Sequence, residues 1–333
     1  MSELLNVKWP DPSKKIRMPE PVEINDRFTP VKGKPKITKN GAVGPNGEST
    51  PFVWQGRYMR LELQDPTNGL DIRNPEVCAI IRDVATGEEV GSTGYGCYYH
   101  AGYLEGDTFY VTASVIGWEN GYESDTIKIF STKDLVHWEE RILFTIPGFR
   151  FFNTSLTKSE EGYVLAVEIN KPFEWAGPKP FTCIFLTSKD MQTWELLPKE
   201  YTYPKDRYCG GPYLTYDDGY YYFFLVTELP CQQYTTYAVR SKDLLQWEVG
   251  RYNPLLIHDE EDRKIASHAV RLSDEMREKI PNSYSCNASD LDLCEFEGKT
   301  MLSYNAGNQL GFYYMVEAVY DGPKSEFLKR LFE

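Results

Sequence analysis

The sequence has little histidine, four residues in 333, and its seven cysteines (78, 97, 183, 209, 231, 286 and 294) are odd in number with no CxxC pair. Disulfide frameworks and zinc knuckles need ordered cysteine spacing, so reduced thiols are the simplest account. No apolar run is long enough to span a bilayer, and MSELLNVKWPDPSKKIRMPEP lacks the apolar core of a signal peptide. A soluble, cytoplasmic protein is therefore expected. No basic cluster offsets the excess of 49 acidic over 36 basic side chains, a formal charge of −13. That balance argues against nucleic acid and against an anionic membrane surface as partners.

Aromatic residues are abundant: 24 Tyr, 17 Phe and 7 Trp suit many short strands and, in a cleft, stacking against carbohydrate. One motif recurs three times, as STKDLVHWEE (131–140), LTSKDMQTWEL (186–196) and VRSKDLLQWEV (239–249). Its aspartates, Asp134, Asp190 and Asp243, lie 56 and 53 residues apart, a period that marks a repeat architecture. Each motif follows a β-rich stretch. The aspartate is expected to cap a turn through backbone N–H groups, and the tryptophan four residues on (Trp138, Trp194, Trp247) to wedge between neighbouring units.

Residues 1–48, rich in Pro, Lys and Gly, read as an extended arm that wraps the domain or enters its first blade. From 49 onward a strand, a Gly-containing turn and an aromatic or β-branched strand recur five times, with turn glycines Gly56, Gly106, Gly162, Gly219 and Gly298. Residues 259–281 read as one or two helices, acidic early and basic late, with Pro281 as a stop. The expected fold is all-β, a five-bladed β-propeller (49–333) with a short helical insertion before the last blade.

In a propeller the first strand of each blade lines a central channel. Positions six to nine residues before each turn glycine return Thr50, His100, Asn153 with Ser155, Gly210 with Pro212, and Asp290 with Asp292. Glutamates stand in otherwise apolar return strands: Glu62 in MRLEL, with Arg60 on the same face, Glu168 in VLAVEI, and Glu228 in FLVTELP. Burying a carboxylate without a partner is costly, so these residues invite explanation. For Arg60 and Glu62 an internal ion pair is the plain alternative. Like charges gathered in a semi-dry pocket push their pKa values apart, which lets one carboxyl act as acid while another stays ionised. Glycoside hydrolysis needs such a pair. His100 stands at a channel position, suited to hydrogen bonding or proton transfer, whereas His137, His258 and His268 read as surface or packing residues.

The segments STPFVWQGR, FFNTSLTK, DRYCGGPYLTYDDGYYY and NASDLDLCEFEGKT, with the Ser-Lys-Asp turns, resemble the five-bladed propeller glycosidases of the arabinanase, β-xylosidase and invertase type over about residues 49–330. The resemblance implies an exo-acting, inverting glycoside hydrolase with an oligosaccharide as substrate. It also exposes a departure: the family's two aspartates and acid glutamate fall on Thr50, Asn153 and Gly210. Catalysis is then expected from other carboxylates. Glu168 and Glu228 are the preferred acid/base pair, and Asp290 with Asp292 the alternative. Arg60 and Glu62 would hold sugar hydroxyls or a substrate carboxylate, while His100, Asn153 and Ser155 would bond the terminal sugar. Tyr99, Trp118, Trp175 and Tyr234 would offer a stacking platform. No cofactor is expected, although a divalent ion such as calcium at the channel is compatible with His100, Asp290 and Asp292. Two alternatives stand beside this reading: a metal-dependent deacetylase or lyase acting on sugars, and a non-catalytic carbohydrate-binding propeller.

Overall fold

The structure is a computed structural model that describes residues 33–45, 47–67, 71, 74–116, 124–177, 181–269, 271–308 and 310–333. Pro35–Glu333 forms a compact unit. Strand β1 (Ile37–Pro45) comes first, and three sheets of four consecutive antiparallel strands follow it. The first holds β2 (Ser49–Trp54), β3 (Arg57–Gln64), β4 (Cys78–Asp83) and β5 (Glu89–Thr93); the second β6 (Cys97–Glu105), β7 (Thr108–Val115), β8 (Thr126–Thr132) and β9 (Glu139–Thr145). The third holds β10 (Arg150–Ser159), β11 (Gly162–Lys171), β12 (Thr182–Ser188) and β13 (Glu195–Leu196), with the one-turn helix α1 (Phe173–Ala176) between β11 and β12.

The remaining eight strands are assigned to one sheet made of two antiparallel runs. One run is β14 (Gly210–Asp217), β15 (Tyr220–Leu229), β16 (Gln233–Ser241) and β17 (Trp247–Val249). The other is β18 (Asn287–Phe296), β19 (Lys299–Gly307) and β20 (Tyr313–Tyr320), closed by β1 on its outer edge. A single parallel pairing, Tyr234 with Asn287, joins the runs. Residues 37–45, read from the sequence as part of an arm, are thus a strand paired to the end of the chain.

Turn chemistry explains the hairpins that open these units. Gln55–Gly56, Asp218–Gly219 and Glu297–Gly298 all have positive φ, the geometry whose twist matches a two-residue hairpin. The repeated aspartates also behave as expected: Asp134, Asp190 and Asp243 each accept two backbone N–H groups, from the residues two and three further on, at 2.8–2.9 Å. Each tryptophan packs into a cluster that spans its own sheet and the preceding one. Trp247 stacks on Phe185 of β12 at 5.7 Å, and Trp138 meets Phe109 within a core that includes Phe52.

The insertion is less helical than its composition suggests. It contains a 3₁₀ turn (Glu260–Arg263) capped by Asp259, then helix α2 (Asp274–Asn282) capped by Ser273, whose hydroxyl accepts from Met276 N. Pro281 lies inside the last turn of α2, and the helix ends one residue later. Helix α3 (Lys324–Arg330) buries Phe327 and Leu328 against the last strands. Among the described residues no helix is long and apolar enough to cross a membrane.

The first strands β2, β6, β10, β14 and β18 approach one another in succession, and β18 approaches β2 in turn. Four of them carry an irregularity at the same place: register shifts fall between Tyr98 and Ala101, Phe151 and Thr154, Gly210 and Tyr213, and Ser289 and Asp292. Tyr99, Gly211 and Asp290 have positive φ within these bulges. A bulge re-aims the side chains beside it, and His100, Asn153, Gly211 and Asp290 all come to face one hollow.

Candidate active site

The hollow is lined by Glu48, Ser49, His100, Ala101, Asn153, Thr154, Gly211, Pro212, Asp290 and Asp292, with an empty volume of about 310 Å³ counting the space open to solvent at its mouth. Three lining residues carry carboxyl groups, and none carries a permanent positive charge. Asp292 accepts from Thr50 Oγ1 at 2.5 Å, and Thr50 Oγ1 in turn accepts from the Gly102 N–H at 3.1 Å. Asp290 accepts from Ser289 Oγ at 2.5 Å and from the Asn305 side chain. Glu48 Oε2 is enclosed and has no hydrogen-bond partner.

Glu168 lies directly behind this lining. It is 4% exposed, and its Oε2 accepts from Asn153 Nδ2 and from the Gly211 N–H, both at 3.0 Å. A Cβ on Gly211 would collide with Asp290 Oδ1, so the two carboxylates flank one residue. Backbone geometry then holds their nearest oxygens to a separation of no more than about 8 Å.

Burial without a matching cation raises all four carboxyls. Glu168 is pushed up to about 8 by burial and by the Asp290 charge, against the lowering effect of its two hydrogen bonds. Asp292 is pushed up to about 7, chiefly by burial and then by Asp290, with Thr50 opposing. Asp290 is raised by burial, while the bonds from Ser289 and Asn305 favour its ionised form. Glu48 is raised well above the carboxylate range by burial and then by Asp290, Glu168 and Asp292. Near neutral pH such a cluster holds protons on some members and not on others, the condition for paired acid and base.

His100 is 7% exposed, and its Nε2 lies 3.0 Å from the Gly94 carbonyl. Nε2 must therefore carry the proton, which leaves Nδ1 as an acceptor, and Nδ1 is buried without a partner. Burial lowers the ring to about 4, so it is neutral at physiological pH.

Other sequence-selected residues lie elsewhere. Arg60 and Glu62 do not line the hollow. Glu62, 1% exposed, accepts from Arg60 Nε and Arg82 Nε at 3.1 Å each and from Arg271 Nη1, while Glu317 beside it faces Arg60 Nη1 at 3.6 Å and His268 Nε2 at 3.1 Å. Sealed in this ion cluster, the two cannot hold a sugar. Glu228 is exposed near the end of β15; its neighbour Thr227 is buried, with its hydroxyl on the Tyr208 carbonyl, so strand alternation turns Glu228 outward. Ser155 spans β10 and β14, its Oγ accepting from Leu214 N at 2.8 Å. Tyr99 packs on Tyr98 and Phe152, Trp175 on Phe149, and Tyr234 on Tyr208. Trp118 lies outside the described residues.

Sequence reasoning missed Glu48, assigned to the arm, and Arg82 and Arg271, which neutralise Glu62. The available signal for Glu48 was its place two residues before Thr50, on the same face of an extended chain. Among the described residues no group of three or more His, Cys, Asp or Glu side chains is placed to hold a metal ion.

No protein-family model matches the sequence, and a search of curated proteins found no match. Solved structures do match. One described as "Glycoside hydrolase" superposes with a TM-score of 0.60 at 14% identity, covering 91% of this chain and 96% of that one. The GH43 endo-arabinanase from Bacillus licheniformis gives 0.53 at 13% identity over 83% and 95% of the two chains. The GH32 β-fructofuranosidase of Bombyx mori gives 0.54 at 12% identity over 88% and 64%. The chain has the fold of these propeller-type glycoside hydrolases. At such identities the likeness carries architecture alone, and the chemistry rests on the hollow.

Proposed function

We propose that the protein is a glycoside hydrolase that releases a terminal sugar from an oligosaccharide, with Asp292 as general acid and Asp290 as the base that activates water. The observation that carries this reading is the hollow itself, where Asp290 and Asp292 face open space beside Glu48, and Glu168 stands directly behind, with no lining cation. Asp292 is protonated into the neutral range and reaches the hollow, so it can donate to a leaving glycosidic oxygen. Asp290, whose hydrogen bonds favour the anion, accepts the proton of water. Glu168 positions Gly211 and Asn153 from behind and adds charge to the cluster.

Five blades are part of this reading: division of the eight-stranded sheet at its single parallel bridge into two four-stranded runs, beside three four-stranded sheets, supports that count. Inversion of configuration completes the proposal. The proposed acid and base are both carboxyl groups, and EDTA is expected to leave the rate unchanged. A panel of 4-nitrophenyl glycosides and plant oligosaccharides, followed by NMR of the first-formed anomer, tests the reading. Release of one monosaccharide as the inverted anomer supports it.

The absence of carboxyls at Thr50, Asn153 and Gly210 favours a second reading, a propeller that binds sugar without cleaving it. A sugar that binds in the hollow and stays intact through prolonged incubation would establish that reading instead.

A further inference from the structure

Cys183 and Cys209 are both wholly buried, and their sulfurs stand 3.8 Å apart. Backbone pairing puts them there. The Cys183 N–H donates to the Tyr203 carbonyl at 3.1 Å and the Tyr203 N–H returns the bond to the Cys183 carbonyl at 3.0 Å, while the Cys209 N–H donates to the Phe181 carbonyl at 2.9 Å. The chain is thus tied down on both sides of residues 204–208, and the two thiols meet through backbone register rather than through the reach of a flexible side chain. A disulfide needs these sulfurs to close to about 2.05 Å, a movement made by rotation about the cysteine Cα–Cβ bonds.

We propose that Cys183 and Cys209 are a disulfide site, closed when the chain folds in the presence of a thiol oxidant such as glutathione disulfide. While the chain is unfolded, one cysteine thiolate attacks glutathione disulfide and expels a glutathione thiolate; the other then attacks the mixed disulfide and expels the second. The two cysteines lose two protons and two electrons, and one glutathione disulfide becomes two glutathiones. Folding selects this pair because it brings these sulfurs together. In a reducing medium the pair stays open. Once the fold has formed, exchange slows in both directions: burial, and then the adjoining Cys209 thiol, raise the Cys183 thiol well above its ordinary value and leave little thiolate to react, while the same enclosure keeps reductants from a closed bridge. The bridge clamps β12 to the chain entering β14, since Cys183 pairs with Glu168 across β11 and β12, and Cys209 precedes Gly210, the first residue of β14.

The test refolds the full chain from urea with and without a mixture of reduced and oxidised glutathione, then alkylates the product in urea without reductant and maps its peptides. The oxidised product is expected to weigh two hydrogens less, to leave only Cys183 and Cys209 of its seven cysteines unalkylated, and to yield their peptides as one linked species. Because the bridge joins residues 26 apart and restricts the unfolded chain, its urea midpoint should lie above that of the reduced product by on the order of 1 M. Dithiothreitol should open it quickly in urea and slowly in native buffer. Cys209→Ala should erase the difference between oxidised and reduced midpoints; where that variant does not fold, the mapping of the parent chain decides alone. Seven alkylated cysteines after oxidative refolding, or a bridge between any other pair, overturns the proposal, as does an oxidised product no more resistant to urea than the reduced one. None of these outcomes depends on whether the hollow cleaves a glycoside.

Discussion

Buried carboxylates occur in two neighbouring parts of this protein under opposite electrostatic terms. Glu62 is met by Arg60, Arg82 and Arg271, and Glu317 beside it by Arg60 and His268. Glu48, Asp290 and Asp292 share a hollow whose lining includes no cation. The first cluster lies where β3 and β4 meet β20 and the insertion. Across the other sheet-to-sheet contacts apolar clusters do the sealing, such as Phe52 with Phe109 and Phe185 with Trp247. Where β2 faces β18 and β19, polar contacts take over, among them Ser49 with Ser303 at 2.5 Å. Charges that are matched serve closure, and charges left unmatched are available for chemistry.

The comparison breaks most visibly in activity. Asp292→Asn is expected to lower kcat/KM by about 10²–10⁴-fold, the usual contribution of a general acid. Glu228→Gln, at an exposed residue that does not line the hollow, should leave initial rates at the parental value, and matched rate assays of the two variants check this. If Asp292→Asn cleaves as fast as the parent, the acid is misassigned.

Stability should move in the other region. Glu62→Gln leaves three arginines short of a carboxylate and should cost roughly 3–5 kcal/mol in urea unfolding, the penalty for breaking a buried ion pair. A loss under about 0.5 kcal/mol would show that the cluster does not hold the sheets together.

The pH dependence separates the two regions by sign. Glu168 and Asp292 are raised in the folded state, to about 8 and about 7. Their contribution is therefore complete below the ordinary carboxylate pKa of about 4 and is lost as pH rises through 7 to 8. Melting temperature should fall over that window. Glu168→Gln, with no proton to lose, should flatten the fall and be more stable than the parent at pH 8 by on the order of 1–3 kcal/mol. A destabilised Glu168→Gln at pH 8 would place Glu168 with the matched carboxylates instead.

The smallest effect belongs to the repeated turn. Asp190→Ala removes acceptors for Gln192 N and Thr193 N and should cost about 1 kcal/mol in thermal unfolding, with activity untouched.

Much of the fold was legible because its signals are local. The Ser-Lys-Asp turns and the turn glycines mark hairpins by backbone chemistry that operates within a few residues, so their spacing revealed the repeating units. The bulges explain why His100, Asn153 and Asp290 could also be found by counting: the same irregularity recurs at the same offset in four first strands. What the sequence hid depends on partners distant along the chain. Glu62 reads like Glu168, an acid within an apolar strand, and Arg271, 209 residues away, is one of the residues that tell them apart. Glu48 lay hidden for a different reason, since the strand that holds it in place begins one residue later.

The pH profile of kcat/KM on any glycoside the protein cleaves tests the unmatched hollow most directly, because it reads the protonation state of the free site. With Asp292 as acid, the profile should fall above about pH 7, and Asp292→Asn should remove that limb along with most of the rate. A profile that stays flat through pH 9, or one that keeps its limb in Asp292→Asn, would contradict the account.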